Sequence, residues 1–222
     1  MQSIETNSLY EAKLNTETFE KKRSYYMIKR IIDILGSFCG LILLSPVLLI
    51  TAIAIKLDSK GPIFFVQDRV GKNDKIFKMY KFRSMIEEAE ELKEKLKKKN
   101  EMSGPMFKMK EDPRITRVGR FIRKTSIDEL PQLFNIIKGE MSLVGPRPNL
   151  PKEVAQFNSY QRLKLMTKPG LTCYWQVMGR SSIDFEDWMR LDIKYIEERN
   201  TFLDLKLIFK TFGVLFGDEN AR

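Results

Sequence analysis

The chain has 222 residues, two cysteines, no histidine and a formal net charge of +10 at pH 7. That length accommodates one domain with a sizeable core, or one domain plus a membrane element. The positive balance points to anionic partners: nucleic acid, anionic lipid or a phosphorylated substrate. Without histidine there is no Ser-His or Cys-His nucleophilic centre, no imidazole base and no histidine-ligated metal. Chemistry must rest on carboxylates, cations or an oxygen-ligated metal such as magnesium.

Residues 1–24 form a polar N-terminal arm with scattered acids and no strong apolar period, expected to be mobile or weakly helical. Lys21, Lys22, Arg23, Lys29 and Arg30 then make a basic approach to an uncharged apolar run from Ile34 to Ile55. At about 1.5 Å per residue the run just covers a bilayer core of about 30 Å. A cleaved signal peptide fits poorly: Ala52-Ile53-Ala54 mimics a cleavage site, but the leader is too long and too acidic. A buried soluble helix is a further reading, although the run is apolar on all faces, as a membrane helix is. Two membrane readings stand, a spanning helix and a re-entrant one. Pro46 has no N–H, so the Ile42 carbonyl loses its helical partner and the axis bends, while Ser45 can satisfy the freed group. The flanks are basic on both sides, with Lys29 and Arg30 before and Lys56 and Lys60 after, which suits a helix that dips in and returns.

Past Gly61-Pro62 the pattern changes. IFFVQDRV and KIFKMYKF, joined by Gly71-Lys72-Asn73-Asp74, predict a β-hairpin. Residues 86–101 predict a charged helix held by Glu–Lys pairs. Arg114, Arg117, Arg120 and Arg123 recur every three residues between Ile115, Val118 and Ile122, which predicts a basic amphipathic helix that Gly119 weakens. In DELPQLFNIIKG, Pro131 must lie in a first turn, so the helix should start near Ile127 or Asp128 and stop at Gly139. VGPRPNLP should be extended. Two helices follow, over about Asp184–Glu198 (Trp188, Leu191 and Tyr195 on one side) and Phe202–Phe216 (Leu205, Ile208, Phe209, Phe212 and Leu215 at helical spacing). Core packing is one reading of both stripes, and a membrane interface is a second reading of the last. Cys39 and Cys173 lack CxxC or zinc spacing and read as reduced packing residues, as in a cytoplasmic setting. The sum is an α+β chain, mainly helical, with one small β-hairpin.

Asp128 and Glu129 stand where a helix should begin, among free N–H groups and the positive dipole end, so Asp128 should stay ionised at neutral pH. Ser126-Ile127-Asp128-Glu129 also matches a capping box, and capping is compatible with catalysis because both use an ionised oxygen. Adjacent carboxylates without histidine suit phosphoryl transfer. One attacks phosphorus, a nucleoside monophosphate leaves as a stable anion, and an anionic acceptor needs no base. Catalysis then reduces to positioning and charge neutralisation by magnesium and cations. Lys81 and Arg83 in KFRSM, Arg123, and Arg147 between two prolines are the available cations.

KFRSM, RKTSIDELPQLFNIIKGEMSLVGPRP, and KPGLTCYWQVMGR followed by DLKLIFKT together resemble the bacterial sugar transferase family, the monotopic phosphoglycosyltransferases, over about Tyr26–Phe216. The resemblance implies Asp128 as covalent nucleophile, Glu129 as its partner at a Mg2+ ion held by both, and Lys81, Arg83, Arg123, Arg147 and Arg180 as phosphate and substrate ligands. It implies a helix broken at Ser45-Pro46 that makes residues 25–58 re-entrant, with residues 59–222 as a cytoplasmic catalytic domain bearing amphipathic interfacial helices on the bacterial inner membrane. The implied substrates are a UDP-sugar and undecaprenyl phosphate, for capsule or exopolysaccharide synthesis. Downstream glycosyltransferases and a second copy of the chain (a homodimer) stand as candidate protein partners. A non-catalytic, membrane-anchored basic scaffold is the competing reading. A nucleic-acid binder would leave the apolar run unexplained, and no RRM or zinc signature is present.

Overall fold

The computed structural model describes residues 21–96, 109, 111–178 and 183–217. The arm as far as residue 20, the end of the charged helix and Arg180 lie outside the described residues.

Helix α1 (Arg23–Leu43) and helix α2 (Ser45–Asp58) form the apolar N-terminal pair. The break falls at Leu44, and the Ser45 hydroxyl donates to the Ile42 carbonyl at 2.7 Å, replacing the N–H that Pro46 lacks. The axes bend by 61°, and no single described helix is long and apolar enough to cross a membrane, although the bent pair qualifies by length and composition. Leu35, Phe38, Leu43, Leu49, Ile50 and Ile53 are exposed on it, a belt of the kind that marks a lipid contact. The bend is consistent with a monotopic re-entrant anchor.

One side of α1 is bound to the rest of the chain. Helix α5 (Gln132–Lys138) ends beside Arg30, whose guanidinium donates to the Ile136 and Ile137 carbonyls at 2.6 and 2.7 Å. These are carbonyls that a helix end leaves without partners. Asp33 accepts from the Ser142 hydroxyl and the Leu143 N–H at 2.9 and 2.8 Å. Lys29 and the Tyr25 hydroxyl both reach Asp204 at 2.9 Å.

The predicted hairpin forms from β1 (Phe64–Val70) and β2 (Ile76–Phe82), paired antiparallel with Phe65 opposite Lys81 and Arg69 opposite Phe77. Helix α3 (Ala89–Leu96) follows, then α4 (Arg117–Lys124), whose Thr116 cap accepts from the Gly119 N–H. Asp58 at the end of α2 accepts from the Val118 N–H at 2.9 Å. Arg114, expected within the basic helix, instead precedes it and pairs, buried, with Asp112 at 2.7 Å. The helix expected to begin near Ile127 or Asp128 is split. Ile127–Glu129 is a 3-10 turn and α5 starts only after Pro131, whose missing N–H leaves the Ile127 carbonyl without an α-helical donor; that carbonyl accepts from the Leu130 N–H instead. The expected capping box is not made: Ser126 takes a left-handed φ of 55° and its side chain caps nothing.

Strands β3 (Ser142–Val144) and β4 (Gly170–Thr172) pair in parallel, with Ser142 opposite Gly170 and Val144 opposite Thr172. Short helices α6 (Pro151–Val154) and α7 (Ser159–Arg162) lie between them, and α8 (Tyr174–Met178), α9 (Phe185–Glu198) and α10 (Thr201–Gly217) follow. In α9, Trp188 and Tyr195 are buried as predicted. The core reading of the last stripe is corrected: Leu205 and Phe209 are exposed, and α10 turns Asp204 and Leu207 inward. The ion pair of Asp204 with Lys29 sets that rotation. Both cysteines are free; Cys173 is buried as expected of a packing residue, whereas Cys39 is exposed on α1.

Gly119 shows why the basic helix tolerates a glycine. A Cβ there would sit 2.0 Å from the Ser84 carbonyl oxygen. Gly119→Ala should therefore cost about 1–3 kcal/mol through forced backbone movement, read as a lowered melting temperature in detergent.

Candidate active site

The hairpin's inner face, the 3-10 turn and the proline loop after β3 meet at Glu129. Strand alternation puts Lys81 on the inner face of β2 with Phe77 and Met79. The left-handed Ser126 reverses the chain between α4 and the turn. Pro146 and Pro148 stiffen the segment that carries Arg147. Lys81 Nζ lies 2.6 Å from Glu129 Oε1, and Arg147 Nη2 lies 2.9 Å from the same oxygen. Asp128 Oδ2 is 3.8 Å from Lys81 Nζ.

The two carboxylates are perturbed in opposite directions. Burial raises the Asp128 carboxyl above the usual aspartate range, and the attraction of Lys81 only partly offsets it. Burial would raise Glu129 too, but Arg147 and then Lys81 overcome it and hold the group well below the ordinary carboxylate range. Burial depresses Lys81 although Glu129 opposes it, while in Arg147 the pull of Glu129 outweighs burial and raises the guanidinium. Neighbouring carboxyls pushed apart in this way commonly hold different tasks.

Of the other residues singled out from sequence, Arg123 stands at the end of α4, close enough to Asp128 to favour its ionised form. Arg83 does not join them. Its guanidinium donates to the Ser59 and Lys60 carbonyls and closes the end of α2. Arg180 lies outside the described residues.

One cation was missed. Arg69 donates to the Pro148 carbonyl at 2.9 Å and to Gln67 Oε1 at 2.7 Å, and its guanidinium falls to about 10, through burial and then the nearness of Arg147. Strand alternation held the signal, because Phe65, Gln67 and Arg69 share the face of Lys81.

Among the described residues no group of three or more acidic or cysteine side chains gathers as a metal cage. Two hard carboxylates at one point nonetheless fit magnesium, which commonly binds through one or two carboxylates and completes its shell with substrate phosphates and water. Asp128, insufficiently compensated by Lys81, and its neighbour Glu129 are the carboxylates that suit it.

The fold and this centre define a class: a mainly helical chain with a bent apolar anchor and a cation-clamped carboxylate pair. Residues 24–218 match the bacterial sugar transferase family, and the chain belongs to it. It is 47% identical over 202 residues to galactosyl transferase CpsE of Streptococcus agalactiae serotype III (strain NEM316), covering 90% of this chain and 45% of CpsE. It is 41% identical over 204 residues to undecaprenyl-phosphate galactose phosphotransferase of Salmonella typhimurium, covering 90% of this chain and 43% of that protein. Exopolysaccharide production protein ExoY of Rhizobium meliloti (strain 1021) is 39% identical over 189 residues, covering 83% of this chain and 84% of ExoY. The chain thus spans less than half of the first two relatives and most of the third.

Asn135 ties the hairpin that carries Lys81 to α5, just after the carboxylates. Its side chain accepts from the Tyr80 N–H at 3.0 Å and donates to the Lys78 carbonyl at 2.7 Å and to Glu140 at 2.6 Å. Asn135→Leu strands these buried groups and should cost about 2–4 kcal/mol, measured by thermal or denaturant unfolding.

Proposed function

We propose that the chain transfers a sugar 1-phosphate from a UDP-sugar to undecaprenyl phosphate, releasing UMP, through an aspartyl-phosphosugar on Asp128. The observation that carries this reading is the unequal treatment of the two carboxylates. Glu129 takes both cations at contact distance, and Asp128 is left with one approach of 3.8 Å. The uncommitted carboxylate is the one free to become a nucleophile.

In the first step an Asp128 oxygen attacks the phosphorus that bears the sugar. The phosphoanhydride bond breaks and UMP leaves as an anion, so no general acid is required. In the second step the phosphate oxygen of undecaprenyl phosphate attacks the same phosphorus, frees Asp128 and forms the lipid diphosphate. Lys81 and Arg147 stabilise charge on the transferring phosphoryl group, and Arg123 and Arg69 add positive potential around it. Magnesium, when held by Asp128 and Glu129, supplies further charge neutralisation.

The bent pair supports a membrane placement in which residues 25–58 enter and leave on the cytoplasmic side of the bacterial inner membrane, and residues 59–222 stay there. The exposed Phe202, Leu205 and Phe209 of α10 and Phe121 of α4 fit an interfacial fringe. The name of the Rhizobium relative supports exopolysaccharide synthesis as the setting. Galactose in the name of the Salmonella relative makes UDP-galactose the first donor to try.

Purified full-length protein in detergent, with magnesium, undecaprenyl phosphate and a panel of nucleotide-sugars, should release UMP. Asp128→Asn should lower that release by about three orders of magnitude or more. A carboxyl whose folded pKa is raised is destabilising once ionised, so this variant should melt no lower than wild type near neutral pH. A mere helix cap would instead lose about 1 kcal/mol.

Because Asp128 must be ionised to attack, the acid limb of the rate should lie above the ordinary aspartate value of about 3.9. Lys81→Met should move it further upward by removing the main charge that favours ionisation. Single cysteines replacing Ile28 and Leu57, in a Cys39→Ser background, should be labelled from the same side of the membrane.

A further inference from the structure

The clamp on Glu129 depends on where Arg147 is held, and the prolines fix only its backbone. Contacts on both sides hold that backbone: the Gly145 N–H donates to the Thr172 carbonyl, the Gly170 N–H to the Pro146 carbonyl and the Val70 N–H to the Asn149 carbonyl, each at 2.9 Å, the Arg69 guanidinium donates to the Pro148 carbonyl at 2.9 Å, and the Tyr195 hydroxyl lies 3.1 Å from the Val144 carbonyl oxygen. None of them touches the side chain. The guanidinium carbon sits 5.4 Å from the centroid of the Trp175 ring. Trp175 stacks on Trp188 with centroids 5.1 Å apart and planes 30° from parallel. Lys164 Nζ lies 4.8 Å from the Trp188 ring and is fixed by Asp192 at 2.7 Å and by Asn149 Oδ1 at 2.6 Å. Asn149 belongs to the same proline loop as Arg147, so the chain of contacts closes on itself: loop, Trp175, Trp188, Lys164, loop.

We propose that Trp175 is a positioning residue for Arg147, and that through it α8 and α9 set the geometry of the carboxylate centre. The proposal rests on the catalytic reading above. A guanidinium held against an indole face loses freedom to swing away from Glu129 or from a bound phosphate. The stack behind Trp175 keeps the indole itself from moving.

The chain has two tryptophans, so a Trp188→Phe background leaves Trp175 as the sole indole. In that background Arg147→Gln should change the Trp175 emission, and an unchanged spectrum would overturn the contact. Turnover is read as UMP release by the full-length protein in detergent. Trp175→Leu should lower kcat/KM for the nucleotide-sugar by about three- to thirty-fold, the range of a cation–π contact, with Trp175→Phe recovering most of the loss. Trp175→Leu and Arg147→Gln together should do little more harm than Arg147→Gln alone. A purely structural Trp175 would give losses that multiply, with no rescue by Phe, and that result sinks the proposal. If wild type releases no UMP from any donor while the emission still responds to Arg147→Gln, the catalytic reading fails and the contact stands.

Discussion

Glu129 is the point on which the site converges. Its Oε1 takes Lys81 from the hairpin and Arg147 from the proline loop, so one oxygen joins segments far apart in sequence. A buried carboxylate with a single cation would be costly, because desolvation can exceed the pairwise attraction. Two cations at contact distance reverse that balance and hold the group ionised. The same arrangement accounts for the state of Asp128. With the local positive charge committed to its neighbour, Asp128 is left buried and weakly compensated. Close backbone packing supports the clamp. A Cβ at Gly170 would meet the Gly145 nitrogen at 2.0 Å, so the proline loop and β4 lie nearly against each other.

Much of this was legible in the residues. The break at Ser45-Pro46 was readable because proline chemistry is local, and even the rescue of the Ile42 carbonyl by Ser45 followed from which bond was lost. The hairpin announced itself by strand-forming residues around a turn, and α9 by its apolar spacing. The carboxylate pair stood out because a chain without histidine has few other groups suited to nucleophilic or acid–base chemistry.

The features that resisted prediction were set by tertiary contacts. The helical period of Leu205, Ile208 and Phe209 is genuine, but the rotation of α10 follows from Asp204 pairing with Lys29, a residue distant in the chain. Glu129 could have closed a capping box, yet two cations compete for it and win. Arg83 sits two residues from Lys81 and turns to the end of α2, because carbonyls there need a donor. The parallel pairing of β3 with β4 spans strands too short to show a period, and Arg69 was hidden among many surface-compatible arginines until the register placed it beside Arg147.

The way α1 is bound has a practical consequence. Arg30 supplies donors to the end of α5, Asp33 binds the start of β3, and Lys29 with Tyr25 satisfies Asp204 on α10. The anchor is therefore no detachable tether. A truncation at Asp58, made to obtain a water-soluble form, would strip hydrogen-bond partners from three elements at once and open the core beneath them. Whatever holds this chain at the bilayer also completes its interior, and a form freed from lipid must keep residues 23–58 and shield their apolar surface with detergent or nanodisc.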